Sequence, residues 1–181
     1  MEGLWLFVKN VFFAVLVPGL LGYWAPWRWI AGVSPRDVTW GPRELAALIP
    51  VALGTAGLLW SIWHFAATGR GTPAPFDPPK RLVVRGLYRV VRNPMYVSVL
   101  TVVLGWSILL WSAAVAAYGA AGWVMFHGFV MGIEEPSLRA KFGADYDAYC
   151  AAVGRWIPGR PWSPPAGPHQ GSQAPTAARH V

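Results

Sequence analysis

The stretch that decides the fold runs from Pro94 to Ile133 and reads PMYVSVLTVVLGWSILLWSAAVAAYGAAGWVMFHGFVMGI. It contains no Asp, Glu, Lys or Arg, and about 20 apolar residues suffice for a helix to cross a bilayer. The stretch is long enough for two crossings, Pro94–Trp111 and Ala113–Ile133, which must form a tight antiparallel hairpin. Because backbone polar groups need partners inside lipid, both spans are predicted to be helical.

The rest of the chain has the same character. Of its 181 residues, 55% are hydrophobic and 13% are charged, against about a quarter charged in soluble domains. Two further apolar runs, Leu4 to about Trp24 and Leu45–Ala67, are long enough to span, and the first is too long for a cleaved signal peptide. The sequence thus predicts an all-α integral membrane protein with four transmembrane helices. Its single cysteine, Cys150, excludes an internal disulfide.

Charge sets the predicted orientation. Between Arg70 and Arg92 the chain carries a run of basic residues opposed only by Asp77. Positive loops stay in the cytoplasm, so this loop, both termini and any site beside them are predicted to face the cytoplasm. The Pro- and Gly-rich segment Gly69–Pro79 leads into the basic residues, and together they are interpreted as a structured cytoplasmic loop.

A further helix is predicted beyond the fourth span. From Pro136 to about Val153, large apolar and aromatic side chains repeat at helical spacing, which is typical of an amphipathic helix at the membrane interface. From Pro158 onward Pro, Gly, Ser, Gln and Ala dominate, and a disordered tail is predicted. The predicted organisation is residues 1–68 with two transmembrane helices, 69–158 as a core, and 159–181 as the tail.

The start of the third span suggests a site for an anion. Asn93 is a favoured N-cap residue, and Pro94 suits the first helical position. Arg92 and Tyr96 then lie at the positive end of a helix dipole, where a ligand carboxylate can dock. The alternative is that Arg92 holds lipid phosphate head groups.

Glu134 and Glu135 end the fourth span. Pro136 disfavours helical conformation in the residue before it, so the chain is predicted to break there. Ionisable groups at membrane depth tend to face an interior or a watery cavity, which favours a cationic ligand. The alternative is an interfacial capping pair in which Glu135 bonds to Arg139.

The histidines and the common binding motifs give weaker evidence for a function than Arg92 and the two glutamates do. His127 lies seven residues before Glu134 and on roughly the same helix face, as a possible base or as a residue hydrogen-bonded to a neighbouring helix. His64 lacks that alignment and is interpreted as structural. No metal-ligand spacing, P-loop or Rossmann glycine pattern occurs, so no metal is predicted. The net charge of +7 requires no nucleic acid, because basic residues flanking spans attract anionic lipid.

The order of the motifs is more informative than any one of them. In sequence come Leu82–Tyr88, then Arg92-Asn93-Pro94-Met95-Tyr96, a helical hairpin, Glu134-Glu135, Phe142–Tyr149 and Arg155-Trp156-Ile157-Pro158. Over about Gly69 to Pro158 the chain strongly resembles the isoprenylcysteine carboxyl methyltransferase and phospholipid methyltransferase superfamily of integral membrane enzymes.

The resemblance implies S-adenosylmethionine (SAM) as methyl donor on the cytoplasmic side, and a lipophilic acceptor that enters from the bilayer. In the family, the residues that match Leu82, Val83, Tyr88, Asn93, Pro94, Met95 and Tyr96 line the cofactor pocket, and the residue that matches Glu134 contacts the cofactor. Charge and placement add Glu135 to the predicted cofactor site. They also predict catalytic roles for Arg92 and Glu134 in positioning the donor, with His127 as a possible base.

Two positions depart from the family pattern. The family commonly has His where this chain has Asn93. Prenylcysteine enzymes place an arginine about one turn before the acid, where this chain has Val130, which argues against a prenylcysteine acceptor. Two other functions stay open: an NADPH-dependent membrane reductase with a related core, and a membrane adaptor without enzymatic activity.

Overall fold

The computed structural model describes residues 19–26, 28, 38–69 and 81–163, and within these ranges it contains helices and no strands. The predicted all-helical class is confirmed for this part of the chain. In order, the elements are a π-helical turn Gly19–Trp24, α1 Pro42–Gly69, a 3-10 turn Gly86–Arg89, α2 Pro94–Leu109, α3 Ala113–Phe129, a π-helical segment Val130–Glu134, α4 Glu135–Phe142 and α5 Ala144–Ala152.

Two continuous helical stretches, Pro42–Ala67 and Ala113–Phe142, are long and apolar enough to cross a membrane. Helix α2 is apolar but has 16 residues, or about 24 Å at 1.5 Å per residue, less than a hydrocarbon core about 30 Å thick. Most of the predicted first span lies outside the described residues. Two spanning helices and a shorter apolar helix fit an integral membrane protein, and the count of four spans stays a prediction.

Helices α1 and α2 make the most extensive helix contact among the described residues. Their backbones approach closely at glycines. A Cβ atom on Gly54 would lie 2.7 Å from the Ser98 carbonyl oxygen, and one on Gly105 would lie 2.9 Å from the Val51 nitrogen. Small residues permit such close packing in membranes, where association depends on van der Waals contact.

The predicted hairpin joins α2 to α3 through residues 110–112. The Ser112 hydroxyl accepts a hydrogen bond from the Val115 N–H at 3.4 Å and caps α3. Trp111 has a positive φ of 47°, and the Arg43 guanidinium lies 4.8 Å from its ring centroid. The turn is therefore held from α3 and from the start of α1.

The predicted break at the two glutamates is wrong. Glu135 is helical, with φ −62° and ψ −44°, and its N–H donates to the Val130 carbonyl five residues back. This π turn passes directly into α4, where Pro136 occupies the first turn, a position that needs no N–H donor. The backbone continues because the π turn changes the hydrogen-bond register just before the proline.

The single amphipathic helix predicted over Pro136–Val153 is also wrong. Gly143, with φ +51°, separates α4 from α5, and glycine adopts this backbone conformation without a Cβ clash. Tyr149 on α5 is buried with Val84 and Val153, and its hydroxyl donates to the Tyr88 carbonyl oxygen at 2.6 Å. Burial raises the pKa of Tyr149, so the phenol keeps the proton that it donates. Helix α5 thus docks on the loop that precedes α2.

Residues 154–163, which we call the C-terminal strap, run antiparallel to residues 89–93. Three backbone hydrogen bonds join them: Arg92 N to Gly154 O at 2.9 Å, Gly159 N to Val90 O at 2.8 Å, and Trp162 N to Arg89 O at 2.9 Å. The sequence assigned Gly159 and Trp162 to the tail, yet both donate to the loop before α2. Residues 164–181 lie outside the described residues.

Candidate active site

The first feature of the site is the start of α2. Asn93 occupies the N-cap position, but its side chain makes no capping hydrogen bond. Its amide instead donates to the Arg155 carbonyl oxygen of the strap at 3.2 Å. Pro94 is buried in the first turn of the helix, as predicted. The asparagine therefore ties two chain segments together, which helix propensity alone did not indicate.

Glu135 is buried between two arginines. Its carboxylate accepts from Arg155 Nε at 2.5 Å and from a terminal Arg155 nitrogen at 2.9 Å, and Arg92 donates to Oε1 at 3.1 Å. The capping alternative named Arg139 as its partner, but the ion pair of Arg139 is with Asp147 at 2.8 Å. Both oxygens of Glu135 are thus occupied by guanidinium groups. We call Glu135, Arg92 and Arg155 the clamp.

Arg92 lies inside the clamp and is largely buried. Its side chain is 11% exposed, and the nitrogen that contacts Glu135 also donates to the Cys150 sulfur at 2.8 Å. Its Nε is buried and has no hydrogen-bond partner among the described residues. The charge of this arginine is therefore largely balanced within the protein, and the predicted contact with a ligand carboxylate stays a prediction.

Glu134 has a different environment from its neighbour. It is half-buried, and the Tyr96 hydroxyl donates to its Oε2 at 3.1 Å. Within the described ranges Glu134 forms no ion pair. Burial, and after it the charge of Glu134, raise the pKa of Tyr88. The two adjacent acids thus have distinct electrostatic states.

A group of aromatic rings includes Tyr96, the hydrogen-bond partner of Glu134. The Tyr96 ring stacks on Phe126 with centroids 4.6 Å apart and tilts against Trp156 at 6.4 Å. His127 lies 6.1 Å from Trp156 and stacks on Trp123 at 5.2 Å. We call these five residues the aromatic wall. It is built from α2, α3 and the strap, so three separate segments must meet before it exists.

Trp156 is the member of the wall that the sequence did not single out. Arg155-Trp156-Ile157-Pro158 was noted as part of a motif, but no role was attached to the tryptophan. Its N–H donates to His127 Nδ1 at 3.0 Å. A neutral imidazole that accepts at Nδ1 carries its own proton at Nε2. His127 is therefore hydrogen-bonded, as one alternative held, although its partner belongs to the strap and not to a neighbouring helix.

The predicted cofactor residues of the loop before α2 are largely buried. Val83 and Tyr88 are 5% and 9% exposed, and Leu82 packs against the Val84–Tyr149 group. Val130, at the position where prenylcysteine enzymes have arginine, is 1% exposed. His64 stacks on Trp60 of α1, with ring centroids 6.0 Å apart.

The chemical character of the site follows from Glu134 and the wall. A half-buried carboxylate without a cationic partner attracts positive charge. Aromatic faces attract cations as well, by about 0.5–2 kcal/mol. Together, Glu134 and the aromatic wall suit a ligand that carries a positive charge and an extended apolar or aromatic portion.

Comparison with known proteins agrees with the motifs. The family model for phospholipid methyltransferase matches residues 42–145, which include α1, the loop before α2, the hairpin, both glutamates and the start of α5. No curated protein matches the chain. The family match covers more than half of the chain and includes Tyr96, Glu134 and Glu135. The protein is therefore a member of the phospholipid methyltransferase family and an integral membrane methyltransferase.

Proposed function

We propose that this protein transfers a methyl group from SAM to a lipophilic or amphipathic acceptor, at a carboxylate, an amine or a thiol. The observation that carries the proposal is the contrast between the two glutamates. Arg92 and Arg155 neutralise Glu135, whereas Glu134 is left with a phenol. A carboxylate in that state is available to a cationic ligand.

SAM has the complementary groups. Its ammonium or ribose hydroxyls suit Glu134, and its sulfonium suits the faces of the aromatic wall. When bound, it supplies an electrophilic methyl group. The proposed cofactor contacts are Leu82, Val83, Tyr88, Asn93, Pro94, Met95, Tyr96 and Glu134, with Glu134 and Tyr96 best supported by geometry.

The protein's contribution to catalysis is positioning. Displacement at a methyl carbon needs the acceptor atom in line and about 3–3.5 Å away, and an oriented pair of reactants reacts far faster than a free one. The wall and α2 would exclude water from the reacting atoms. Arg92 acts through its place in the clamp. His127 can act as a base only if the hydrogen bond from Trp156 is broken, because Nδ1 accepts that bond from the indole N–H.

The acceptor is proposed to enter from the bilayer, and the site is proposed to face the cytoplasm. The basic residues before α2 support this orientation. The buried Val130 offers no positive charge to a substrate carboxylate, which supports an acceptor other than prenylcysteine. NADPH is less well suited than SAM, because its phosphates would be repelled by Glu134.

Isothermal titration calorimetry on detergent-purified protein tests the donor. SAM and S-adenosylhomocysteine should bind, and NADPH should not displace them. Asp145→Asn, which removes an exposed acid on α5, is the control for substitution of Glu134, and it should bind SAM as the wild type does. Absence of binding by both compounds at millimolar concentration would refute the proposal.

The acceptor is then found by incubating the protein with radiolabelled SAM and a panel of lipids, thiols, amines and prenylated cysteines. Label is expected in an extractable lipophilic product. A membrane adaptor without enzymatic activity would give neither a labelled product nor ligand-dependent thermal stability.

A further inference from the structure

The clamp connects the loop before α2 to the strap through one carboxylate. Glu135 is 7% exposed, and its oxygens face Arg155 on one side and Arg92 on the other. Arg155 binds with two nitrogens, an arrangement that fixes orientation as well as distance. A carboxylate so occupied has little capacity left for a ligand.

The clamp also sets where the next residue of the strap stands. The side chain of Arg155 is held by Glu135, and its carbonyl oxygen accepts from Asn93. The preceding residue, Gly154, accepts from the Arg92 N–H at 2.9 Å. Three contacts thus fix the strap on the residues directly before Trp156.

Trp156 in turn joins the clamp to the cofactor site. Its ring lies against Tyr96, and its N–H holds His127. Tyr96 donates to Glu134. A continuous chain of contacts therefore runs from Glu135 through Arg155 and Trp156 to Glu134.

We infer that Glu135 and Arg155 are positioning residues, which hold the strap closed so that Trp156 completes the wall of the cofactor site, and that neither contacts the cofactor. The inference rests on the proposed function for its cofactor. It gives the two adjacent glutamates different tasks: Glu134 faces the ligand, and Glu135 holds the segment that encloses it.

Arg155→Met is the informative variant. Removing Glu135 would leave two arginines without their partner, whereas Arg155 is partly exposed and Met retains much of its apolar stem. Arg160→Met is the matched control, because Arg160 lies exposed on the same strap and makes no hydrogen bond or ion pair with the described residues. Arg155→Lys tests geometry, since lysine keeps the charge without the planar fork.

The chain carries its own reporter of strap opening. Cys150 is the single cysteine, and it packs beside the Tyr149 group that Trp162 of the strap also covers. Cys150 is partly buried, so faster alkylation of this thiol by a maleimide, relative to the wild type and in the full-length protein in detergent, reports that the strap has moved away from it. The alkylation rate can be measured without SAM.

Arg155→Met should alkylate at least about fivefold faster than the wild type, as expected for a locally destabilised segment. It should bind SAM about tenfold more weakly, the scale of one charge-assisted contact, and retain kcat within about twofold at saturating SAM. Arg155→Lys should give values between those of Arg155→Met and those of the wild type. Arg160→Met should match the wild type in every measurement.

Unchanged SAM affinity in Arg155→Met, or a loss of kcat with unchanged KM for SAM, would overturn the inference. If wild-type protein binds no SAM while Arg155→Met still alkylates faster, the proposed donor is refuted and the closing of the strap by the clamp is supported. Failure of the donor and failure of the clamp are thereby distinguished.

Discussion

The Tyr96 hydroxyl donates a hydrogen bond to Glu134 Oε2 at 3.1 Å, and so joins the first turn of α2 to the π-helical segment after α3. These residues are 38 positions apart in the chain. The contact leaves Glu134 with a neutral partner, while the adjacent Glu135 is bound to two guanidinium groups. This difference between neighbouring acids should separate their effects on ligand binding and on stability.

Glu134→Gln should lose SAM affinity without losing the fold. Removing the carboxylate charge from a ligand contact should cost about 1.5–3 kcal/mol, or roughly 10- to 100-fold in Kd. The free energy of unfolding should change by less than about 1 kcal/mol, because Glu134 forms no ion pair among the described residues. Calorimetry and thermal unfolding in the same detergent measure the two effects. Equal SAM affinity in Glu134→Gln and wild type would contradict the assignment.

Glu135→Ala, in contrast, should strongly lower the stability of the fold. Breaking a buried ion pair on one side leaves Arg92 and Arg155 without their carboxylate, at a cost of about 3–5 kcal/mol. Glu134→Ala is the matched control, one residue away and without an ion pair in the described part of the chain. The midpoint of denaturant unfolding should fall far more for Glu135→Ala than for Glu134→Ala. Similar midpoints for both would show that the clamp contributes little to stability.

Tyr96→Phe should have a smaller effect than Glu134→Gln. It removes one hydroxyl donor and keeps the ring that stacks on Phe126, so SAM binding should weaken by about 0.5–1.5 kcal/mol. Tyr118→Phe is the control, because the Tyr118 hydroxyl donates to the Leu21 carbonyl oxygen at 2.9 Å, outside the site. A control variant that weakens SAM binding as much as Tyr96→Phe would argue against a local role for Tyr96.

Gly54→Ala should loosen the contact between α1 and α2. The added Cβ would lie 2.7 Å from the Ser98 carbonyl oxygen and 2.9 Å from the Val102 nitrogen, and overpacking of this kind costs about 1–3 kcal/mol. Gly128→Ala, on α3 with nothing within 4 Å of the new Cβ, should be neutral or stabilising by up to about 1 kcal/mol. Thermal unfolding of the two variants compares them directly. A stable Gly54→Ala protein would mean that the helices separate at little cost.

Several features were predictable because they depend on local sequence. Apolar runs with few charges gave the helical class, and the uncharged stretch Pro94–Ile133 gave the hairpin. The order of short motifs around Asn93 and Glu134 gave the family. Two local rules gave wrong results at the glutamates and at Gly143. The preference of a residue before proline for non-helical conformation is a tendency, and a π turn overcame it at Glu135. A glycine with positive φ can end one helix and begin another while the apolar side chains on both sides keep their helical spacing.

The sequence by itself therefore determined that the chain is helical and apolar, that two adjacent acids follow its last apolar run, and that it belongs with membrane methyltransferases. Only the tertiary structure decided which acid is neutralised by arginines and which is left with a phenol as its partner. Glu134 and Glu135 are adjacent and chemically alike, so no local pattern separates them. They differ because Arg155, some twenty residues away, is brought by the strap to one carboxylate and not to the other.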